Sequence, residues 1–350
     1  MKQVSGKIFC PDGQFRAGTI YIEGDRIADI KFGDVPGCES YIIPGLVDIH
    51  SHGCVGHDTC DATADELRQM LEFQCSCGVT SYCPTTMTYG QDRLESIIDN
   101  VKACGHENIK GIYMEGPFIS MEKKGAQNPD YIIPPNEVML EELLDKAGDL
   151  IKVVAIAPEV EGAVELIEKM SDRVHFSLAH TACDYDTAVS AFEAGATQVT
   201  HLYNAMQPYT HRQPGLIGAA YDTPDVFCEL IADGIHIHDA VIRNTFRQLG
   251  PERVVLISDS MEATGMPDGE YALGGQKVYK KGRKATLADG TIAGSASTLM
   301  DCLKYAISIG VPMSDAIFAA TRNPAKAIGI YDDVGSIEIS KKADLVNLYL

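Results

Sequence analysis

The segment VHFSLAHTACDYDTAVSAFEAGATQVTHLYN, residues 174–204, contains one complete strand–helix–strand pattern. Its two ends, VHFSLAH and ATQVTHLYN, are short apolar runs with the length and composition of buried strands. The stretch between them, DYDTAVSAFEAG, is a helix candidate. A helix that joins two such strands predicts that the strands are parallel neighbours in one sheet.

The same alternation extends along most of the chain and predicts an α/β protein. Eight strand–helix units over roughly 200 residues are typical of a TIM-like (β/α)8 barrel. A doubly wound open sheet is the alternative, but the chain lacks the GxGxxG turn that often accompanies it. Besides the two runs quoted above, the predicted barrel strands lie in GLVDIHSH (45–52), VTSYCPTT (79–86), IKGIYMEGPF (109–118), IKVVAIAPE (151–159), FCELIADGIH (227–236) and VVLISDS (254–260).

The two ends of the chain have a different pattern, with alternating apolar residues and glycine-containing turns typical of antiparallel strands. We therefore predict a small β-sandwich domain that both ends form together. The tail stops inside a strand-like run, so we expect one or two further strands to be absent from this chain. The predicted divisions are 1–44 for the first part of the β domain, 45–264 for the barrel, 265–294 for a β insertion that packs on the small domain, 295–330 for the last barrel helices and 331–350 for the end of the β domain.

Composition excludes several classes of function. The formal net charge of −20 argues against binding to nucleic acid or to an anionic membrane surface. No apolar run approaches the roughly 20 residues that span a bilayer, and the N-terminus lacks the apolar core of a signal peptide. The eleven cysteines are scattered, with no CxxC pair, so we expect reduced thiols and a cytoplasmic location.

Polar residues end most of the predicted barrel strands, which is where barrel enzymes place their chemistry. His50 and His52 lie one residue apart at the end of the first strand, so both side chains should face the same side. Imidazoles and carboxylates gathered at one rim indicate a metal site rather than core packing. The other residues in this set are Glu115, His180, His201, His236 and Asp259.

At these residues the chain resembles the amidohydrolase superfamily and, within it, the N-acetylglucosamine-6-phosphate deacetylases. The resemblance covers nearly the whole chain, from about residue 40 to residue 346, and its longer motifs are highly specific. The motifs are PGLVDIHSHG, EGPFISMEKKGAQNP, SLAHTACDYDTAVSAFEAGATQVTHLYNAMQP, HRQPG, LIADGIHIH, ISDSMEATG and GTIAGSASTLMD.

The resemblance implies a metal-dependent hydrolase that converts N-acetyl-D-glucosamine 6-phosphate into D-glucosamine 6-phosphate and acetate. It implies Glu115, His180 and His201 as the principal ligands of Zn²⁺ or Fe²⁺. His50 and His52 match the ligands of a second ion. The resemblance thus implies one or two ions per subunit and favours two. Asp259 matches the general acid/base that serves the attacking hydroxide. The other interpretation of Asp259 is a helix N-cap, a position that aspartate favours.

The resemblance also implies contacts with the substrate. Arg212 and His236 match phosphate contacts, and part of that site comes from a partner subunit in the family, so a homodimer is expected. Gln127 stands where one branch of the family has a histidine. Further contacts are expected from Ala126, Asn204, Ala205, Ile292, Ala293, Gly294 and Ser295.

Two other functions stay open at this stage. One is the same chemistry on another acylated substrate, such as N-acetylgalactosamine 6-phosphate or an N-acyl amino acid. The other is a non-catalytic relative of the barrel that serves as a scaffold, which loss of the metal ligands would indicate.

Overall fold

A computed structural model describes residues 2–37 and 39–349. Within these residues the strands are β1 (Lys2–Phe9), β2 (Phe15–Glu23), β3 (Arg26–Phe32), β4 (Tyr41–Pro44), β5 (Leu46–Ser51), β6 (Gly53–Cys54), β7 (His57–Asp58), β8 (Val79–Thr86), β9 (Ile112–Met114), β10 (Ile151–Ile156), β11 (His175–Leu178), β12 (Gln198–Val199), β13 (Phe227–Leu230), β14 (Val254–Leu256), β15 (Gly269–Leu273), β16 (Gln276–Lys281), β17 (Lys284–Thr286) and β18 (Leu345–Leu348).

Eight parallel strands form the barrel, in the order β5–β8–β9–β10–β11–β12–β13–β14. All eight lie within the runs that the sequence predicts as barrel strands, so the predicted barrel is confirmed. The ring is closed just beyond the last strand, where Ser51 and Ser260 form a parallel bridge. There the Asp259 amide also donates a hydrogen bond to the carbonyl oxygen of His50 at 2.9 Å. Closure therefore brings the first strand end against the eighth.

The helices pack around this barrel, and several of them begin at a side-chain cap. Thr63 and Glu66 form a capping box at the start of the first helix, and the Asp184 side chain caps the fifth. No helix within the described residues is both long and apolar enough to cross a bilayer. The helices are α1 (Ala64–Ser76), α2 (Gln91–Cys104), α3 (Glu137–Ala147), α4 (Ala163–Met170), α5 (Tyr185–Glu193), α6 (Gly215–Asp222), α7 (Asp239–Leu249), α8 (Leu299–Ser308), α9 (Met313–Ala320) and α10 (Arg322–Ala327).

Both chain ends contribute to one small β domain, as the sequence predicts. Its five-stranded sheet has the order β18–β4–β1–β2–β3, with β18 antiparallel to β4. The small domain has an apolar cluster of its own. The buried residues of this cluster are Ile8, Ile20, Ile27, Ile42 and Ile337.

The insertion at 265–294 folds as antiparallel strands, as the sequence predicts. Strands β15, β16 and β17 form a separate three-stranded sheet, and their buried residues Leu273, Val278 and Ala285 belong to the largest apolar cluster of the described residues. The Gln276 side chain donates a hydrogen bond to the Ala126 carbonyl oxygen at the mouth of the barrel. Alternation does not specify the surface that the apolar face of these strands covers, and packing of the insertion on the small domain stays a prediction.

Candidate metal centre

A cavity of about 440 Å³ opens at the carboxyl ends of the barrel strands. Most of the residues predicted for the site line it, namely His52, Glu115, Ala126, Gln127, His180, His201, Asn204, Ala205, His236, Asp259, Ile292 and Gly294. His50, Ala293 and Ser295 are buried and do not line the cavity. The remaining predicted residue, Arg212, is exposed and borders a different cavity.

Three buried side chains, Glu115, His180 and His201, converge on one point inside the cavity. The Nε2 atoms of the two histidines are 3.2 Å apart, and each lies 3.0 Å from Oε1 of Glu115. These separations are close to the roughly 3.4 Å expected between ligand atoms that share one tetrahedral zinc ion.

The tautomer of His180 strengthens the case for a cation at this point. Its Nδ1 lies 2.9 Å from the Lys123 carbonyl oxygen, so Nδ1 carries the proton and donates it to that oxygen. Neutral His180 then directs the lone pair of Nε2 at a carboxylate oxygen of Glu115. Such a contact is repulsive unless a proton or a metal ion lies between the two atoms.

A second group, consisting of His50, His52 and Asp259, lies beside the first. Oδ1 of Asp259 is 3.4 Å from Nε2 of His52 and 3.8 Å from Nε2 of His50. Glu115 lies between the groups, because its Oε2 is 3.2 Å from Nε2 of His52 while its Oε1 faces the first group. The carboxylate of Glu115 can therefore serve both groups at once.

Buried nitrogen atoms without a hydrogen-bond partner support a ligand in the second group. Nε2 of His50 has no partner among the described residues, although the side chain is fully buried. A buried polar atom normally has a partner, and one that lacks it costs stability. This atom faces Glu115 Oε1 at 3.6 Å and Asp259 Oδ1 at 3.8 Å, so a divalent cation would satisfy it. The residues present thus fit a divalent metal.

The electrostatics of the protein without an ion agree with this fit. Burial lowers the pKa of His52, but Asp259 and Glu115 outweigh burial and raise that pKa to about 10. Burial raises the pKa of Glu115, but His180, His201 and His52 hold it well below its usual range. Burial likewise raises the pKa of Asp259, while His52 and His50 lower it overall. The carboxylates are thus ionised, and in the absence of an ion protons take its place.

Three of the converging residues have left-handed backbone conformations immediately after their strands. The φ angles are 43° at His180, 29° at His201 and 47° at Asp259. Such angles are sparsely populated for residues other than glycine, and they cluster at functional sites. The helix N-cap interpretation of Asp259 fails here, because the next α-helix after β14 in the described chain begins only at Leu299.

A carboxylate–histidine pair lies at another part of the cavity wall, where His236 lines the cavity. Nδ1 of His236 donates to Oδ2 of Asp233 at 2.8 Å, and the Ser295 hydroxyl is 3.5 Å from the same oxygen. Burial lowers the pKa of His236, but Asp233 outweighs burial and raises it above its usual value. An imidazole whose pKa is raised and whose Nδ1 is held by Asp233 suits an anionic group of a ligand.

Sequence reasoning missed several residues that hold this site in place. Besides Lys123 and Asp233, the buried Glu229 lies 2.9 Å from Nδ1 of His50. Thr88 was missed as well: its amide donates at 2.8 Å to Gln127, a predicted residue, whose own amide donates to Oε2 of Glu115 at 2.5 Å. Glu229 lies in the quoted run FCELIADGIH, but no spacing rule distinguishes an inward carboxylate within a strand from the residues at its end.

Arg212 borders a separate cavity of about 700 Å³, together with residues of the segments 182–186 and 207–215. Within one subunit, the structure therefore brings His236, Asn204 and Ala205 into the candidate site but leaves Arg212 outside it.

Comparison with known proteins agrees with this architecture. The amidohydrolase family model matches residues 41–349. A relative from Bacillus subtilis (strain 168), named N-acetylglucosamine-6-phosphate deacetylase, is 38% identical over 88% of this chain and 80% of its own length. A relative from Escherichia coli O157:H7, named N-acetylgalactosamine-6-phosphate deacetylase, is 33% identical over 88% of this chain and 83% of its own length.

A solved structure extends the likeness to three dimensions. It is a Mycobacterium smegmatis N-acetyl-D-glucosamine-6-phosphate deacetylase, an aspartate-to-alanine variant in complex with N-acetyl-D-glucosamine 6-phosphate. It superposes with a TM-score of 0.94 at 31% identity and covers 99% of this chain and 94% of the other. The barrel, the converging ligand groups and these matches together show that this chain belongs to the amidohydrolase family, in the group of the N-acetylglucosamine-6-phosphate deacetylases.

Proposed function

We propose that this protein removes the acetyl group from N-acetyl-D-glucosamine 6-phosphate and releases D-glucosamine 6-phosphate and acetate. One observation carries the proposal. Two ligand groups meet at Glu115, one of them contains the ionised Asp259, and both lie at the same cavity as His236, whose pKa Asp233 raises. The ligand groups with Asp259 suit amide hydrolysis, and His236 suits a phosphorylated substrate.

In this proposal Asp259 moves the proton. A divalent ion held by Glu115, His180 and His201 would polarise the acetyl carbonyl and make the proton of an attacking water easier to remove. Oδ1 of Asp259 accepts that proton and then donates it to the nitrogen of the departing amine. The position of Asp259 within 3.4 Å of His52 Nε2 keeps its carboxylate directed at the ligand groups during both steps.

Gln127 orients the carboxylate that the two groups share. Its amide donates to Oε2 of Glu115 and is itself fixed by the Thr88 amide, so Glu115 cannot rotate freely. Ala126, Ile292 and Gly294 would surround the sugar, with Ala293 and Ser295 supporting that wall from behind.

We infer two ions per subunit, either Zn²⁺ or Fe²⁺, because imidazole and carboxylate ligands suit both metals. Titration of metal into apo-protein should give two equivalents bound per subunit. A His50→Gln/His52→Asn double variant should bind one equivalent, because Glu115, His180 and His201 remain. One equivalent in both proteins, with the same activity, would contradict a two-metal site.

Phosphate recognition is the step in which a second subunit takes part. His236, Asn204 and Ala205 lie in the cavity, whereas Arg212 is exposed beside another cavity, so we infer a homodimer in which Arg212 reaches the partner's site. Arginine offers a planar pair of donors that matches phosphate oxygens.

Replacing Arg212 with alanine should lower kcat/KM for the 6-phosphate by roughly 10- to 100-fold, since a hydrogen bond to a charged group contributes about 1.5–3 kcal/mol. The loss with unphosphorylated N-acetylglucosamine should be much smaller. Arg247, an exposed arginine whose side chain bonds Asn244, provides the control Arg247→Ala, which should behave as wild type.

Mixed dimers test the contribution of the partner directly. Arg212→Ala and His180→Ala subunits should regain activity when combined, because one site of the mixed dimer then has both residues intact. No recovery in verified mixed dimers, or equal losses on both substrates, would contradict this role of Arg212.

N-acetylgalactosamine 6-phosphate is a second candidate substrate, because the Escherichia coli relative, at 33% identity, is named for that substrate.

All ten cysteines within the described residues are free thiols, which supports a reducing, cytoplasmic location. The experiment that tests the proposal is an acetate-release assay on both 6-phosphates and on both unphosphorylated sugars, run beside metal analysis. Release from neither 6-phosphate by metal-loaded protein would refute the proposed function.

A further inference from the structure

Glu229 is a fully buried carboxylate that the proposed reaction does not use. It lies on β13, beneath the two ligand groups. Its Oε2 is 2.9 Å from Nδ1 of His50 and 3.3 Å from the backbone amide of His201. Burying a carboxylate is costly unless its hydrogen bonds serve the structure or the site, so this placement calls for a role.

The hydrogen bond to His50 fixes which ring nitrogen carries the proton. An ionised carboxylate only accepts hydrogen bonds, so Nδ1 of His50 must be the donor. In the neutral ring, Nε2 is then an acceptor, and this atom has no hydrogen-bond partner among the described residues. The Tyr113 ring, whose centroid is 4.5 Å from that of His50, packs beside the imidazole and limits its rotation.

His52 lacks an equivalent partner, so within the second group this pairing involves only one of the two histidines. Its Nδ1 is buried with no hydrogen-bond partner among the residues that the structure describes. The bond from Glu229 to the His201 amide also places the same carboxylate next to the first ligand group, but through the backbone rather than through the ring. Within the second group, the structure thus distinguishes His50 as the ligand whose ring is held by a carboxylate.

We propose that Glu229 is a positioning residue for the metal centre: it holds His50 in the Nδ1–H tautomer and directs Nε2 at the ion of the His50, His52 and Asp259 group. This inference rests on the proposed two-metal function. Carboxylates that accept from ligand histidines in this way typically change metal affinity by 10- to 100-fold. The competing interpretation is a buried ion pair between Glu229 and a doubly protonated His50, which would take His50 out of the ligand set.

The test compares Glu229→Gln with Asp233→Asn in zinc titrations of apo-protein. Both changes neutralise a buried carboxylate that faces a histidine Nδ1 in the same region, but His236 belongs to neither ligand group. Glu229→Gln should weaken one of the two equivalents by 10- to 100-fold and leave the other unchanged. Asp233→Asn should bind both with wild-type affinity. Glu229→Asp serves as the second variant if the amide variant unfolds.

A spectroscopic readout separates positioning from a merely structural effect. In zinc-loaded protein with ¹⁵N-labelled histidine, the His50 signal, assigned by its loss in His50→Gln, should show a protonated Nδ1 and a metal-bound Nε2. In Glu229→Gln this signal should move while that of His180 stays. Two protonated nitrogens on His50 in the zinc-loaded wild type, wild-type affinity for both equivalents in the variant, or equal weakening of both would overturn the inference.

Failure of this inference and failure of the proposed function give different results. A wild-type protein that deacetylates the 6-phosphate with one equivalent of zinc would overturn the role of Glu229 and leave the function standing. A wild-type protein that binds two equivalents but releases no acetate from either 6-phosphate would refute the function, and the affinity and tautomer measurements would still judge Glu229.

Discussion

Replacing His180 or His201 with alanine is expected to remove the ion of the Glu115, His180 and His201 group and reduce deacetylase activity to the level of buffer alone. Each Nε2 lies 3.0 Å from Oε1 of Glu115, so each variant leaves only one imidazole in that group. Two ligands hold a zinc ion far less well than three, and without the ion the attacking water is not activated. Metal content by elemental analysis and acetate release should fall together.

His175 provides the matched control for this loss. It begins strand β11, which leads to His180, so it lies at the opposite end of the barrel. His175→Ala should keep its metal and turn over normally. Unfolding monitored by circular dichroism should show that the His180 and His201 variants remain folded. Full metal occupancy with normal turnover in either variant would refute the ligand assignment.

Much of the fold could be predicted because buried parallel strands have a recognisable local sequence pattern. Each barrel strand is buried on both faces, so it appears as a short apolar run, and each lies within a predicted run. The strand-end position of Glu115, His180 and His201 then follows from the fold itself, since all parallel strands end at one rim. That rule predicted the convergence of the ligands without any knowledge of distances.

The parts that could not be predicted depend on contacts between distant segments. Leu273 and Val278 of the insertion at 265–294 are buried in the large apolar cluster. No local sequence pattern predicts which residues they pack against. The exposed position of Arg212 depends on the path of the loop that carries it. Glu229 is a third example. Its role depends on a contact with His50, which is 179 residues away in the chain, so the strand sequence alone does not predict it.

The backbone conformation of the site residues could not be predicted from the sequence either. The left-handed angles at His180, His201 and Asp259 direct side chains from the ends of strands into the cavity. Histidine and aspartate tolerate this conformation better than most residues do. The sequence is compatible with such turns, but it does not predict them, because the barrel closure that imposes them is a property of the whole sheet.

Replacing Asp259 with asparagine is expected to slow the chemical step by at least about 10²-fold while the substrate and the ion of the Glu115, His180 and His201 group still bind. The amide cannot take a proton from water, so the general base is lost. Asparagine is the appropriate change because it tolerates the φ angle of 47° as aspartate does, whereas alanine would add backbone strain. Two backbone hydrogen bonds of residue 259 should therefore be retained: its amide donates to the His50 carbonyl oxygen, and its own carbonyl oxygen accepts from the Ser295 amide.

Single-turnover kinetics, calorimetric binding of the 6-phosphate and metal analysis separate the effects of Asp259→Asn on the chemical step, substrate binding and metal binding. Asp301→Asn, in the capping box of α8, makes the same chemical change away from the cavity and should leave turnover normal. Normal turnover with lost binding in Asp259→Asn would mean that this carboxylate holds the site together and moves no proton.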